Sequence, residues 1–481
     1  MKYRVLKRVI SLALAVSATI SLCACDTKET VSIEPMEQEE VYALGFDFIG
    51  GDDVMPIGGF YGPYSMAYSY NGVNIPYYVS DDIYSKLSES GLNYISWSPA
   101  NYAQKPDVVI EQLELAEKYN MGVFVNDTAY GGLHRDDVMS IDELEKRISE
   151  YSSYPAFCGV YAVDEPGTSY YHPELKDKQG YIEDYVELTK NLTELGVVSY
   201  VNLISYKPQF GKEVYHQYLD EFSSTLEVPY LCSTLYPFDD MLDTDDHSLP
   251  EATLPQYFYQ LDSIRAQAEK TKIPYFTYIA AGGSWSDAGD SFDSELLYPN
   301  EAQFTWNVNT ALAYGTKGIT YFLAIQPVHF AYGESTEFDA QRNGLLGIWG
   351  NKTQWWYYAK NVNAQIAAVD DVLMNSVSKG VIVTGEEAKE DTAECSAIME
   401  GASWRELKNV KGDTMIGCFN YQGKTALYVV NYDMEYAQHI TLELYDTYNM
   451  SVTQNAEVSR VKTNSLTLDM KAGEGALIVF E

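Results

Sequence analysis

Residues 140–166 read SIDELEKRISEYSSYPAFCGVYAVDEP. In the first half, Ile141, Leu144, Ile148 and Tyr151 fall on one helical face, and Ser140 with Glu143 forms the S-x-x-E box that satisfies free amides at a helix start. The second half, Phe157 to Val163, is an apolar and β-branched run of strand length that ends in Asp164, Glu165 and Pro166. A helix feeding straight into an apolar strand is one repeat of a parallel sheet.

The same alternation extends in both directions. Strands are expected at Met55 to Tyr64, Asn93 to Ser98, Gly122 to Asn126, Phe157 to Val163, Val198 to Ile204, Pro229 to Tyr236, Pro274 to Ala280 and Gly318 to Ile325. Helical stripes recur between them, as at Val109, Leu113 and Ala116 and at Phe258, Leu261 and Ile264. Gly196 and Gly318 follow two of the helices, where a left-handed terminal residue is easiest for glycine. Eight near-equal units predict an α/β fold, a closed (β/α)8 TIM barrel over residues 43–375. An open doubly wound sheet gives no reason for eight units, and no G-x-G-x-x-G follows the first strand. After the helix holding Trp355, Trp356 and Tyr357 the pattern changes. Runs such as Ala426 to Asn431, Ile440 to Leu444 and Ala476 to Phe480 predict a small all-β sandwich over residues 376–481.

The 481-residue chain is 46% hydrophobic, ample for a large core, and sets 32 basic against 69 acidic side chains for a formal net charge of -37. So acidic a surface repels phosphate backbones and anionic headgroups, which argues against nucleic acid and against a polybasic membrane footprint. The 42 tyrosines offer flat faces to sugar rings but serve equally as core material.

Lys2, Arg4, Lys7 and Arg8 precede an apolar stretch from Val9 to Leu22, the pattern of a secretory signal over residues 1–24. Leu22-Cys23-Ala24-Cys25 resembles a bacterial lipobox, which implies lipidation of Cys25 and an extracytoplasmic location in the bacterial cell envelope, held to the membrane by the lipid alone. Residues 25–42, rich in glutamate, read as a solvated tether. Cys158, Cys232, Cys395 and Cys418 have no C-x-x-C spacing. A disulfide between Cys395 and Cys418 is one possibility, and small buried thiols are the other.

A barrel of this kind carries its reactive groups just past the C-terminal ends of its strands. Polar and aromatic residues expected there are Trp97, Asp127, Asn202, Tyr236, Trp285 and Gln326, as substrate contacts, and Asp164, Glu165, Asp239 and Asp240, as candidate catalytic acids. Asp164-Glu165 is the sharpest signal, because a carboxyl at a mostly apolar strand end is held at fixed depth with its pKa open to tuning by burial. His134 and His329 are isolated histidines and no His cluster argues for zinc. Asp287, Asp290 and Asp293 recur every third residue without the D-x-D-x-D-G spacing of a calcium loop, so no metal and no organic cofactor is expected.

The run Gly159-Val160-Tyr161-Ala162-Val163-Asp164-Glu165-Pro166 resembles the strand-4 motif of bacterial barrel glycoside hydrolases related to clan A, including β-galactosidase-like proteins. Residues Thr310 to Phe322, Gly350 to Thr353 and Asn361 to Val369 resemble the last helices and strand of those barrels, and Tyr428 to Tyr432 and Ala472 to Phe480 their appended sandwich. The resemblance implies a carbohydrate substrate and Glu165 as general acid/base. This chain departs from it at two points. Asp164 stands where those enzymes have Asn, and Ile279-Ala280-Ala281-Gly282 stands where their nucleophilic Glu ends strand 7. A retaining mechanism needs two carboxyls about 5 to 5.5 Å apart and an inverting one about 6.5 to 9.5 Å. Asp239 or Asp240 is expected to supply the second, with Asp127 and Asp287 as further candidates. Two competing readings are a barrel that binds carbohydrate without cleaving it and a transporter's solute-binding lipoprotein, the latter predicting two similar α/β lobes.

Overall fold

The structure, a computed structural model, describes residues 33–42, 44, 48, 50–65, 68–70, 72–96, 105–127, 140–166, 182–206, 211–226, 228–234, 236–237, 253–282, 299–327 and 343–481. Its first layer is an eight-stranded parallel sheet. The strands are β1 (Ile57–Gly59), β2 (Tyr94–Ile95), β3 (Gly122–Val125), β4 (Phe157–Asp164), β5 (Ser199–Asn202), β6 (Leu231–Ser233), β7 (Tyr275–Ala280) and β8 (Gly318–Phe322). Neighbours pair in sequence order and β8 returns to β1, with Ile57 opposite Ile319. A parallel bridge between Leu203 and Ser233 links β5 to β6, so the sheet closes into the expected (β/α)8 barrel. Several strands are shorter than the sequence reading, β1 and β6 having three residues each.

Helices follow the strands: α1 (Asp81–Glu89), α2 (Pro106–Lys118), α3 (Ile141–Ser149), α4 (Ile182–Glu194), α5 (Lys212–Thr225), α6 (Thr253–Thr271), α7 (Glu301–Tyr314) and α8 (Gln354–Ile366). The expected box at α3 forms, with Ser140 N donating to Glu143 Oε2 at 3.0 Å. One glycine assignment is corrected. Gly196 is left-handed as expected, but the left-handed residue closing α7 is Gly315, three residues before the one anticipated. Gly318 instead opens β8, and a Cβ there would sit 2.8 Å from the Phe276 ring.

The barrel interior is filled largely by rings. Tyr94, Phe124, Tyr161, Tyr200, Tyr230 and Tyr278 are buried, and a Cβ on Gly58 would fall 2.0 Å from the Tyr94 ring. Two of the hydroxyls meet inside the barrel, Tyr200 and Tyr278 at 3.1 Å, and Tyr94 pairs with Thr320. A good share of the tyrosine excess is therefore core.

Residues 376–481 form one antiparallel sheet of seven strands: β9 (Ser376–Thr384), β10 (Leu407–Lys411), β11 (Thr414–Tyr421), β12 (Lys424–Asn431), β13 (Gln438–Gln454), β14 (Glu457–Met470) and β15 (Gly475–Phe480). Its order is β9-β11-β12-β15-β13-β10, with β14 on β13. The long β13 pairs with β10 through Thr441 to Leu444 and with β15 through Met450 to Gln454. Ile416, Leu427, Ile440, Met450 and Ile478 share a core of their own. Met415, Phe419, Tyr428 and Leu477 instead join the barrel's core beside α7. This second covering explains why α7 has no polar face: every residue from Trp306 to Tyr314 is buried.

Among the described residues, Cys158, Cys232, Cys395 and Cys418 are free thiols, three of them buried, so Cys395 and Cys418 are not joined. Part of the acidic stretch is docked. Arg405 donates to Glu34 O, Asn420 Nδ2 to Glu37 O and Glu39 Oε1, and Lys379 pairs with Glu39 at 3.0 Å.

Candidate active site

Three neighbouring strands carry the site. β4 ends in Asp164, and its register partner across the ladder is Asn202, the last residue of β5. Glu165 follows with φ of 45°, a left-handed backbone that a non-glycine residue adopts only when its surroundings hold it there. The surroundings are on hand. Glu165 N donates to Asn202 O at 2.8 Å, and the Tyr218 hydroxyl of α5 donates to Pro166 O at 3.0 Å. Both carboxyl-bearing residues are half-buried.

The side chains continue the connection. Asn202 Nδ2 donates to Asp164 Oδ1 at 2.9 Å and to Thr234 Oγ at 3.0 Å, and Thr234 Oγ donates to Glu165 Oε1 at 2.8 Å. Thr234 follows β6, so one polar chain crosses the ends of β4, β5 and β6. Burial pushes the Asp164 carboxyl above the ordinary aspartate value, against the opposing effects of Asn202 and the Tyr161 phenol. Burial also raises Tyr161, with the charge of Asp164 adding to it.

Tyr236, two residues beyond Thr234, is half-buried and packs on Phe322 at the end of β8, ring centroids 5.7 Å apart. Phe322 rests in turn on Phe60 and Tyr61 at 5.8 and 6.0 Å. β7 ends at the half-buried Ala280, which lies in register with Phe322.

Of the residues singled out in the sequence, Asp164, Glu165 and Asn202 are brought into one network, with Tyr236 following the strand that supplies its fourth member. Asn202 meets the two carboxyl-bearing residues directly or through Thr234, a connection that its strand-end position alone does not reveal. Asp127 is fully buried and engaged with Arg147 Nε at 3.4 Å and with the Tyr151 hydroxyl. Gln326 is buried, its side-chain oxygen accepting from Asn343 N at 2.9 Å. Trp97, Asp239, Asp240, Trp285, His134, His329, Asp287, Asp290, Asp293 and Cys25, the expected lipidation site, lie outside the described residues. Among the described residues no group of three or more His, Cys, Asp and Glu side chains could hold a metal ion. Thr234 was missed, since a threonine near a strand end reads as an ordinary β-former. Gln260 of α6 was missed as well. It donates to Thr234 O at 2.6 Å and Ser233 Oγ at 3.1 Å while accepting from Tyr206 N.

No protein-family model and no curated protein matches the sequence. Solved structures do resemble the fold. A GH42 β-galactosidase from G. stearothermophilus is similar with a TM-score of 0.51 at 7% identity, covering 92% of this chain and 99% of that one. A β-galactosidase from the psychrophilic Marinomonas ef1 gives 0.45 at 12% identity over 71% of this chain and 66% of that one. The GH51 arabinofuranosidase from Xanthomonas axonopodis pv. citri gives 0.42 at 9% over 90% and 97%. These neighbours are glycosidases, and at such identities the likeness is one of fold.

Proposed function

We propose that the protein is a glycoside hydrolase, lipid-anchored through Cys25 at the outer side of a bacterial membrane, that uses Glu165 as general acid/base on a polysaccharide or glycan. The observation that carries this reading is the adjacent pair Asp164-Glu165 at the end of β4, half-buried and tied by hydrogen bonds to β5 and β6. Strand ends on one face are where such barrels do chemistry, and the left-handed backbone at Glu165 is the kind of constraint found at working residues. The fold alone does not fix the reaction, so the assignment rests on the site.

In the proposed reaction Glu165 passes its proton to the glycosidic oxygen as the bond to the anomeric carbon breaks. The freed carboxylate then accepts a proton from the water that completes hydrolysis. Asp239 or Asp240, in the segment after β6, is assigned as the second carboxyl, and Tyr236 as a face for the sugar ring. Reducing-sugar release from a glycan panel tests the reading. Wild type is expected to release sugar and Glu165→Gln to lose at least a hundredfold; equal activity in the variant removes Glu165 from the role.

Ala280 at the end of β7 favours a second reading, a barrel that captures glycans without cleaving them. Calorimetric binding with no product from wild type would select it.

A further inference from the structure

We propose that Thr234 is the positioning residue of the site, a hydroxyl committed to Glu165 Oε1 that orients the carboxyl and favours its ionised form. The inference rests on the reading of Glu165 as the acid/base. Its basis is the direction of the hydrogen bonds. An amide nitrogen has only protons to give, so Asn202 Nδ2 must be the donor to both Asp164 Oδ1 and Thr234 Oγ. Thr234 Oγ, already accepting, has its single proton left for Glu165 Oε1, 2.8 Å away.

The hydroxyl is itself held in place. Thr234 is buried, its N–H donates to Leu203 O at 3.3 Å, and its carbonyl accepts from Gln260 Nε2 at 2.6 Å. The Glu165 N–H is tied to Asn202 O, so backbone and side chain of the glutamate are both referred to β5 and β6. A rotation of the carboxyl breaks the bond to Thr234 and leaves a buried hydroxyl without its acceptor.

A donor on one oxygen stabilises the carboxylate against the desolvation that opposes it, so the hydroxyl lowers the pKa at which Glu165 releases its proton. Among the described residues, the ionisable groups beside Asp164 are Tyr161 on β4, which also feels Glu165, Cys232 on β6 and Tyr278 on β7, and burial raises all three. They stay neutral through the range in which carboxyls titrate, whereas Asp164 changes its charge there as Glu165 does.

The test is a carboxyl titration by NMR of full-length protein labelled with 13Cδ-glutamate, the Glu165 resonance being assigned by its loss in Glu165→Gln. Thr234→Val is expected to raise the Glu165 pKa by roughly one unit, and Thr234→Ser to keep the wild-type value. Thr234→Ala serves as the second hydroxyl-free variant should the valine impair folding. A thermal midpoint that falls while the pKa stays fixed, or a serine variant that titrates like valine, would overturn the proposal. Turnover is read separately: a wild type that cleaves no glycan sinks the hydrolase reading and leaves the titration result standing.

Discussion

Asn202 Nδ2 stands 2.9 Å from Asp164 Oδ1, and the two residues are register partners on adjacent parallel strands. Even with that bond, burial holds the Asp164 pKa above its ordinary value. The folded chain thus binds this proton more tightly than the unfolded chain does. Ionising Asp164 costs stability, a cost absent below the unfolded pKa of about 3.9, growing as pH rises toward the folded value and constant above it. Asp164→Asn is neutral throughout and keeps an acceptor for Asn202. Its thermal midpoint is expected above that of wild type at pH 7 to 8, with the gap closing toward pH 4. A gap independent of pH would show that burial does not govern this carboxyl.

Asp127 is a buried charge whose cation is Arg147. Removing one member of such a pair leaves the other desolvated and unmatched, so Arg147→Met is expected to lower the unfolding free energy by about 3 kcal/mol in a urea titration. Asp127→Asn removes the charge together with the need for its partner and costs less. Glycan affinity is expected to be unchanged in the Asn variant; a tenfold loss with unaltered stability would assign Asp127 to substrate contact instead.

Much of the barrel was legible because its signals are local. The stripe Ile141, Leu144, Ile148 declares α3, and the apolar run into Asp164-Glu165 declares β4 and points to the candidate site at its end. Where the reading fell short, the deciding partner lies far off in sequence. Gly315 rather than Gly318 closes α7, and residue 318 is glycine for another reason: Phe276, some forty residues earlier, occupies the space a Cβ there would take. Thr234 gains its role from Asn202 and Glu165, on two other strands. Lys317 would be assigned to the surface on residue type, yet it is buried because carbonyls near residue 375 surround it.

The docked part of the acidic stretch has a pH signature. Asn420 foremost, then Lys379, holds the Glu39 carboxyl below the ordinary glutamate value. A depressed folded-state pKa contributes stability above the unfolded value of about 4.3, and that contribution is lost as pH falls through the folded pKa. Residues 33–42 are therefore expected to loosen below pH 4. At pH 7, Lys379→Ala should speed limited proteolysis within this segment severalfold while moving the main thermal transition little, because the Lys379–Glu39 pair is largely exposed. Cleavage at the wild-type rate in the variant would mean that other contacts hold the segment.

Lys317 lies between α7 and β8, and its Nζ donates to the carbonyls of Leu373, Met374 and Ser376. These carbonyls mark the joint where α9 (Asp370–Met374) ends and β9 begins, so one side chain ties the barrel to the β-domain. Burial pushes its pKa down to about 7. The unfolded chain, with a lysine pKa near 10.4, then binds more protons than the folded chain between those two values. Stability from this group must rise with pH across that window and be flat below it. Wild type is accordingly expected to gain unfolding free energy from pH 7 to 9.5 relative to Lys317→Met, which has no proton to lose. At pH 7 the variant should be weaker by about 3 kcal/mol, since its methyl-capped chain leaves buried carbonyls unpaired. Denaturant titrations of both proteins at the two pH values measure this; parallel curves would show that Lys317 keeps its proton throughout, stabilised by the three carbonyls it reaches.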